Sequence, residues 1–270
     1  MSRKNYIRMF WGMMAILFFI PATGQETKTF KIFGPALQQV KITGSALKGA
    51  VYYLKSGHGG PDPGAMGKYA NHTLCEDEYA YDVILRLGRK LIENGATVYF
   101  IIRDPNDGIR EREFLSADKD EVCYPEKTIP LNQVERLKQR TNAINSLYAA
   151  NVGKFQRMVS IHVDSRSKGK NIDVFFYYDK VSKKGEKAAR ILKTTFEEKY
   201  RMHQPDRGYR GTVSSRNLYV VTHSKPVSVF IELGNIHHSL DQQRIISPNN
   251  RQALANWLAE GLIRDFRTNK

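Results

Sequence analysis

The chain has 270 residues, of which 41% are hydrophobic and 26% are charged, and its formal net charge is +15. This length and composition suit one globular α/β domain or two small ones, and the core is large enough to make a disulfide scaffold unnecessary. The positive charge suits a polyanionic partner, whereas a basic surface that serves only solubility is the alternative.

The first 24 residues have the pattern of a secretory signal peptide. Arg3, Lys4 and Arg8 precede the apolar run 9–20, and the small residues of PATGQ place the cleavage after Gly24. The alternative is a transmembrane anchor, but this run of 12 residues is shorter than the roughly 20 that a spanning helix needs.

Export has consequences for partners and for the cysteines. Cleavage lowers the formal charge from +15 to +12, because three basic and no acidic residues leave. We expect a periplasmic, or alternatively extracellular, protein without a stable membrane anchor, whose partner is an anionic envelope polymer or membrane surface rather than nucleic acid. Cys75 and Cys123 can form a disulfide in that compartment, although the sequence leaves their pairing open. Neither cysteine lies in a CxxC pair of the kind that binds zinc.

The first half of the chain alternates between predicted strands and helices. Residues 25–48 are a lead-in segment with a short strand pair around KTFKIF and QQVKIT, and VYYLKS is the first strand of the domain. Apolar residues spaced by three or four predict a helix over 78–94, and ATVYFIIR reads as a buried strand. Residues 104–130, which are charged and contain three prolines, are predicted to be a long inserted loop.

The second half continues this alternation. The predicted elements are, in order, a helix over 132–150, strands RMVSIHV and IDVFFYYD, a helix over 184–200, strands NLYVV and VSVFIELG, and a helix over 249–267. This order predicts a single α/β domain over 49–270, with a largely parallel or mixed sheet flanked by helices.

Side chains that bind metals or move protons fall at predicted strand ends. His58 follows VYYLKS within the turn SGHGGPDPGAMG, His162 ends RMVSIHV, and Glu232 ends VSVFIELG. Glu76 comes 18 residues after His58, beside the start of the next helix. Since ligands bind α/β sheets at the carboxyl ends of the strands, these residues predict a site there.

Two histidines and one carboxylate are a common catalytic zinc set, which leaves one position open for water. A second carboxylate, Glu232, would then move protons. Each residue also has an ordinary reading: His162 as a hydrogen-bonded core residue, and Glu76 as a helix-start residue favoured by the helix dipole, as Asp77 and Glu78 would be. Composition and spacing alone leave both readings open.

Three motifs resemble those of the zinc-dependent N-acetylmuramoyl-L-alanine amidases. SGHGGPDPGAMG is similar to the HGG-x-DPGA signature of these cell-wall enzymes, SIHVDS to their second histidine motif, and PVSVFIELGNI to their glutamate motif. RGYRG and RNLYVV resemble the segment between the last two. The resemblance spans residues 49–268, nearly the whole chain after the signal peptide.

The resemblance implies roles by position. His58, Glu76 and His162 match the ligands of one Zn²⁺ ion, and Glu232 matches the catalytic glutamate. It implies a twisted, mostly parallel six-stranded sheet, and hydrolysis of the peptidoglycan amide between N-acetylmuramic acid and L-alanine in cell-wall remodelling or daughter-cell separation. Arg140 and Arg210 are expected to contact carboxylates of the substrate, with ordinary solvated arginines as the alternative.

Departures from the family pattern give further expectations. Glu232 follows His162 by only 70 positions, which leaves little room for an inhibitory helix, so none is predicted there. The 104–130 loop is interpreted as a lid or as the docking site of a protein activator. Two rival functions remain: a zinc carboxypeptidase-like peptidase that cuts peptide bonds, and a degenerate wall-binding module that keeps the fold.

Overall fold

The computed structural model describes residues 26–166 and 169–270, so the predicted signal peptide, residues 1–24, lies outside the described residues. The strands are β1 Thr27–Thr29, β2 Gln39–Lys41, β3 Ala50–Ser56, β4 Met66–Tyr69, β5 His72–Cys75, β6 Thr97–Phe100, β7 Ile102–Arg103, β8 Val122–Cys123, β9 Lys127–Thr128, β10 Phe155–Asp164, β11 Phe175–Tyr178, β12 Val213–Ser215 and β13 Val227–Asn235. The helices are α1 Glu76–Glu93, α2 Gln133–Ala149, α3 Lys183–His203, α4 Tyr219–Thr222, α5 Ser239–Ile246 and α6 Pro248–Asn269, and a short 3₁₀ turn covers Lys31–Phe33.

A six-stranded sheet organises the domain and confirms the predicted fold class. Its order is β12-β11-β13-β10-β3-β6, and every neighbouring pair is parallel except β11 and β13. The long strand β10 lies between β13 and β3 and is buried along nearly its whole length. Strands that are covered on both faces read as continuous apolar runs, which is why RMVSIHV and VSVFIELG are recognisable in the sequence.

The two faces of the sheet pack against different helices. Along β3, Tyr52 and Leu54 belong to the main core with α1, α3 and α6, whereas Val51 and Tyr53 face a smaller core with α2. This alternation follows from the two-residue repeat of a strand. Among the described residues, no helix is long and apolar enough to cross a membrane.

The predicted strand NLYVV, residues 217–221, is wrong, because its last three residues belong to the short helix α4. Val220 and Val221 pack there against Phe230 of β13, and a short apolar run has no period that separates a strand from a buried turn of helix. Helix α1 begins at Glu76 rather than at residue 78, so Glu76 is its first residue. Helix α5 has no counterpart among the predicted elements.

The lead-in and the inserted loop are partly ordered. The predicted strand pair near the start of the lead-in is present as the antiparallel pair β1 and β2. The 104–130 segment is mostly irregular, as predicted, but it contains β8 and β9, and β8 pairs with both β7 and β9 in a small antiparallel sheet. Cys75 and Cys123 are both buried and free, so the structure contains no disulfide between them.

Candidate active site

The carboxyl edge of the sheet brings four of the predicted site residues together. His162 on β10 and Glu232 on β13 are register partners on adjacent strands. The next strand, β3, ends at Ser56 beside Ile161, and the turn after it carries His58. Glu76 enters from the first turn of α1. Parallel strands all end at the same edge, which is why residues far apart in the sequence meet here.

Glu76 lies between the two histidines. Its Oε2 is 3.2 Å from His58 Nε2, and its Oε1 is 2.8 Å from His162 Nδ1. The two carboxylate oxygens also accept backbone N–H groups, Oε2 from Ala65 at 2.9 Å and Oε1 from Val163 at 3.1 Å. These hydrogen bonds hold the carboxylate in one orientation, with an oxygen facing each imidazole.

The turn that carries His58 needs its glycines. His58 has φ of +54°, and Gly59 and Gly60 follow at +96° and +66°, so three consecutive residues lie in the left-handed region. A non-glycine residue there carries backbone strain, which is common at functional sites. Gly57 has a different role, because a Cβ atom at this position would overlap the His162 ring.

Neighbouring groups fix the orientation of His58. Asp62 Oδ2 is 2.9 Å from His58 Nδ1 and 2.8 Å from a guanidinium nitrogen of Arg136. Arg140 donates to the His58 carbonyl oxygen at 2.6 Å. Burial disfavours the charged imidazole, but the hydrogen bonds to Asp62 and Glu76 outweigh it and raise the pKa of His58 to about 9. Without a metal, this site therefore holds a proton on His58 at neutral pH.

His162 is held on both sides and stays neutral. Burial and the charge of Lys55 lower the pKa of His162 to about 3. The Lys55 amine lies 3.1 Å from Nε2 and 3.2 Å from Ser160 Oγ, and the ring stacks on Phe230 with centroids 4.2 Å apart. Nδ1, on the other side of the ring, faces Glu76.

Glu232 is a buried carboxyl group with one oxygen left over. Only 6% of the residue is exposed, and Oε2 has no hydrogen-bond partner among the described residues. Burial, followed by the charges of Glu76 and Asp164, raises the pKa of Glu232 well above its usual value. A carboxyl group with a raised pKa and a free oxygen is suited to take up and return a proton.

These residues line a cleft of about 630 Å³. Arg140 is in its wall, but it is 3% exposed and donates its hydrogen bond to the His58 carbonyl oxygen. The structure does not bring Arg210 to the cleft: Arg210 is exposed elsewhere, and its backbone N–H donates to Asp173. Arg166 and Arg216 line the cleft instead, as does Arg136, which is bound to Asp62. Helix α3 lies between His162 and Glu232 in the sequence, and none of its described residues contributes to the wall of the cleft.

The residues present fit a metal ion. His58, Glu76 and His162 each offer one donor atom, and the three atoms lie within 4.8 Å of one another. Two imidazole nitrogens and a carboxylate oxygen are donors that zinc takes, and three protein ligands leave a position open toward the cleft. Asp62, Ala65 and Val163 supply the outer hydrogen bonds that usually orient such ligands.

Gly64 offers a direct test of how tightly these ligands are packed. It has φ of +72°, and a Cβ atom there would lie 2.6 Å from His58 Cδ2 and 2.8 Å from Glu76 Oε2. We expect Gly64→Ala to weaken zinc binding more than about tenfold, because two donor groups must move. Gly153→Ala is the matched control, since Gly153 has φ of +82° but open space around it. Zinc titration of both proteins checks this, and equal affinities would contradict it.

A three-donor metal site open to a cleft, beside a buried carboxyl group with a free oxygen, is the arrangement of a metal-dependent hydrolase. Comparison with known proteins agrees. The sequence profile of the N-acetylmuramoyl-L-alanine amidases matches residues 53–264. The germination-specific N-acetylmuramoyl-L-alanine amidase of Bacillus subtilis (strain 168) is 25% identical over 221 residues, which are 82% of this chain and 81% of that protein. The chain belongs to the N-acetylmuramoyl-L-alanine amidase family, whose members are peptidoglycan hydrolases.

Solved structures share the fold. The CwlD amidase from Clostridioides difficile, determined in complex with the GerS lipoprotein, superposes with a TM-score of 0.61 at 18% identity, and the match covers 81% of this chain and 99% of that one. The catalytic domain of CwlV, an amidase from Bacillus (Paenibacillus) polymyxa var. colistinus, superposes with a TM-score of 0.56 at 20% identity, covering 82% and 99%.

Sequence reasoning missed several residues of this site. Lys55 reads as part of an apolar strand, and Arg136 as one of many basic residues on an amphipathic helix. Asp62 had a signal, because it lies within the HGG-x-DPGA-like motif, four residues after His58. Arg216 also lies in a segment that resembles the family, the RNLYVV stretch, whereas the neighbouring RGYRG stretch drew attention to Arg210 instead.

Proposed function

We propose that this chain is a zinc-dependent amidase that hydrolyses the bond between the lactyl group of N-acetylmuramic acid and the L-alanine of the peptidoglycan stem peptide. The observation that carries the proposal is the pairing of the His58–Glu76–His162 donor set with Glu232 in one cleft. His162 and Glu232 are register partners, so the strands themselves place the proton-transfer group beside the ligands.

The residues of the cleft have separate tasks in this reaction. His58, Glu76 and His162 would hold one zinc ion, which would polarise the scissile carbonyl and activate a water molecule. Glu232 takes the proton from that water and returns it to the leaving amine of L-alanine. Its free Oε2 and raised pKa suit both steps. Asp62 and Arg140 position His58 through its ring and its carbonyl oxygen.

The substrate is anionic, and the cleft wall is basic. Stem peptides carry carboxylates, and Arg166 and Arg216 line the cleft. Arg216 places its guanidinium over the Tyr177 ring at 5.1 Å, and this stacking helps to orient it. We assign carboxylate binding to these two arginines, in the place that the sequence suggested for Arg210. Arg140 contributes by holding the His58 turn.

The cellular setting is part of the proposal. The predicted cleavage after Gly24, the +12 charge of the remainder and a catalytic domain over 49–270 fit an exported enzyme that acts on peptidoglycan in the periplasm, during wall remodelling or cell separation. A protein activator is proposed as well, because the CwlD amidase was solved in complex with the GerS lipoprotein. The 104–130 segment is the part of this chain that we assign to such a partner.

The experiment is digestion of purified peptidoglycan by residues 25–270 loaded with zinc, with the products identified by mass spectrometry. We expect whole stem peptides that begin with L-alanine, and none from the zinc-free protein. Cleavage within the peptide would identify a peptidase instead. Bound zinc without any release, even after candidate activators are added, would identify a wall-binding module.

A further inference from the structure

Three buried carboxylates that are not zinc ligands meet where the 104–130 segment contacts α1. Asp77 and Glu78 belong to the first turn of α1, and Glu121 comes just before β8. They are only 2%, 2% and 5% exposed. One carboxylate oxygen from each lies within 4.8 Å of the others. We call these three residues the carboxylate cluster.

The protein leaves part of this cluster without a partner. Glu78 binds Arg110 at 2.7 Å through Oε2 and accepts the Asp118 N–H at 3.2 Å through Oε1. Glu121 accepts the Gly60 N–H at 2.7 Å. Asp77 Oδ1 accepts the Glu78 N–H at 2.9 Å, but the buried Oδ2 of Asp77 has no hydrogen-bond partner among the described residues.

The charges do not balance either. Within residues 26–166 and 169–270, Arg110 is the basic residue that forms an ion pair with the cluster, and it also binds Asp107. Asp77 and Glu121 form no ion pair with a basic residue of these ranges, so their ionised forms would be uncompensated, and an unpaired buried charge is costly. Burial raises the pKa of Glu121 to about 7, against the opposing Gly60 hydrogen bond. The helix dipole offsets only a small part of this cost for a carboxylate in the first turn of α1.

A divalent cation would supply the missing charge and the missing partner of Asp77. The donors are all oxygens, which suits a hard cation rather than zinc, and Ca²⁺ accepts oxygen ligands at about 2.3–2.6 Å in a flexible geometry. Two oxygens on opposite sides of such an ion are about 4.6–5.2 Å apart, so the spacing of the cluster fits a single ion. We propose that Asp77, Glu78 and Glu121 form a Ca²⁺ site that fastens the 104–130 segment to α1.

Further carboxylates surround this site. Asp118, Asp120 and Glu121 form a second group within 4.8 Å, and Asp104, Asp107 and Asp118 form a third. The groups share Glu121 or Asp118, so negative charge continues from the buried cluster to the surface. This arrangement attracts cations to the 104–130 segment in a chain whose overall charge is positive.

The site also has a structural consequence for the zinc site. Glu121 holds the Gly60 N–H, and Gly60 follows His58 by two residues in the left-handed turn. Calcium would thus fix the inserted segment against both α1 and this turn. The proposal goes beyond the amidase function and does not depend on it, because its readouts are calcium binding and protection of the segment from proteases.

The test is a calcium titration of the zinc-loaded protein, residues 25–270, by calorimetry. We expect one Ca²⁺ per chain, and slower proteolytic cleavage within 104–130 when calcium is bound. Asp77→Asn and Glu121→Gln should each weaken calcium binding at least about tenfold while retaining zinc. Glu113→Gln is the control, since Glu113 is an exposed carboxylate of the same segment, and it should bind calcium as the wild type does.

The outcomes separate the proposal from loss of folding. Without calcium, both cluster variants should be at least as stable as the wild type, because each removes a carboxyl group whose ionised form is unfavourable in this buried cluster. At a free calcium concentration about 100 times the dissociation constant, the wild-type folded population should gain about 100-fold over the unfolded one. A wild-type protein that takes up no calcium at about 10 mM, that binds Mg²⁺ equally well, or whose calcium binding survives both substitutions would overturn the proposal.

Discussion

Replacing Glu232 by glutamine is expected to reduce amidase turnover by about 10²–10⁴-fold while the protein keeps its zinc. Glutamine has the same shape but cannot accept a proton from water or return it to the leaving amine. Glu232 is outside the donor group of His58, Glu76 and His162, so the metal should bind as before. Turnover of purified peptidoglycan and zinc content, measured on the same preparations, check both halves of this prediction.

The same substitution should stabilise the metal-free protein, and increasingly so as the pH rises. The folded pKa of Glu232 is raised, first by burial. The contribution of protonated Glu232 to the stability of the folded protein is therefore fully present below the unfolded pKa. This contribution is lost as the pH rises through the folded pKa. Between these two pKa values, the wild type loses about 1.4 kcal/mol relative to Glu232→Gln for each pH unit.

Urea unfolding of the two metal-free proteins at pH 5 and pH 8 measures this difference. Glu113→Gln is the control, because it removes an exposed carboxylate and should shift stability equally at both pH values. If Glu232→Gln were no more stable than the wild type at pH 8, the carboxyl group would not be desolvated as the structure indicates. A variant that kept full activity would remove Glu232 from the reaction.

Much of the fold could be predicted because strands that are buried on both faces appear in the sequence as short apolar runs. β10 and β13 are buried along most of their length and contain the apolar residues of MVSIHV and VFIEL, so His162 and Glu232 stand out near the ends of these runs. The carboxyl ends of parallel strands share one edge. The meeting of His58, His162 and Glu232 could therefore be inferred without any knowledge of the loops.

Contacts that depend on side-chain direction could not be inferred in this way. Lys55 and Arg140 are buried within the site, yet each carries the same sequence signal as an exposed basic residue. Arg210 and Arg216 are six residues apart in an irregular stretch, and only the course of the backbone decides that Arg216 reaches the cleft. The cluster of Asp77 and Glu121 joins a helix start to a distant loop, and no periodicity links the two.

Zinc binding is expected to strengthen about tenfold for each pH unit between pH 6 and pH 8. The hydrogen bonds to Asp62 and Glu76 raise the pKa of His58 to about 9 in the metal-free site, against the effect of burial. Zinc must therefore displace one proton from His58 throughout this range. Since His162 has its pKa lowered to about 3, it is already neutral and adds no second proton. Competition with a chelator of known affinity at several pH values measures how zinc affinity depends on pH. A zinc affinity independent of pH would show that His58 is not the protonated ligand.

His162→Ala should abolish both zinc binding and activity, which separates this residue from Glu232, whose loss removes activity alone. We expect zinc affinity to fall by more than about 100-fold, the upper range for groups that merely orient ligands. His203→Gln is the control, because His203 is exposed and stacks on Trp257 away from the cleft. Zinc retained by His162→Ala would place the metal elsewhere, and the cleft would then need a different donor set beside Glu232.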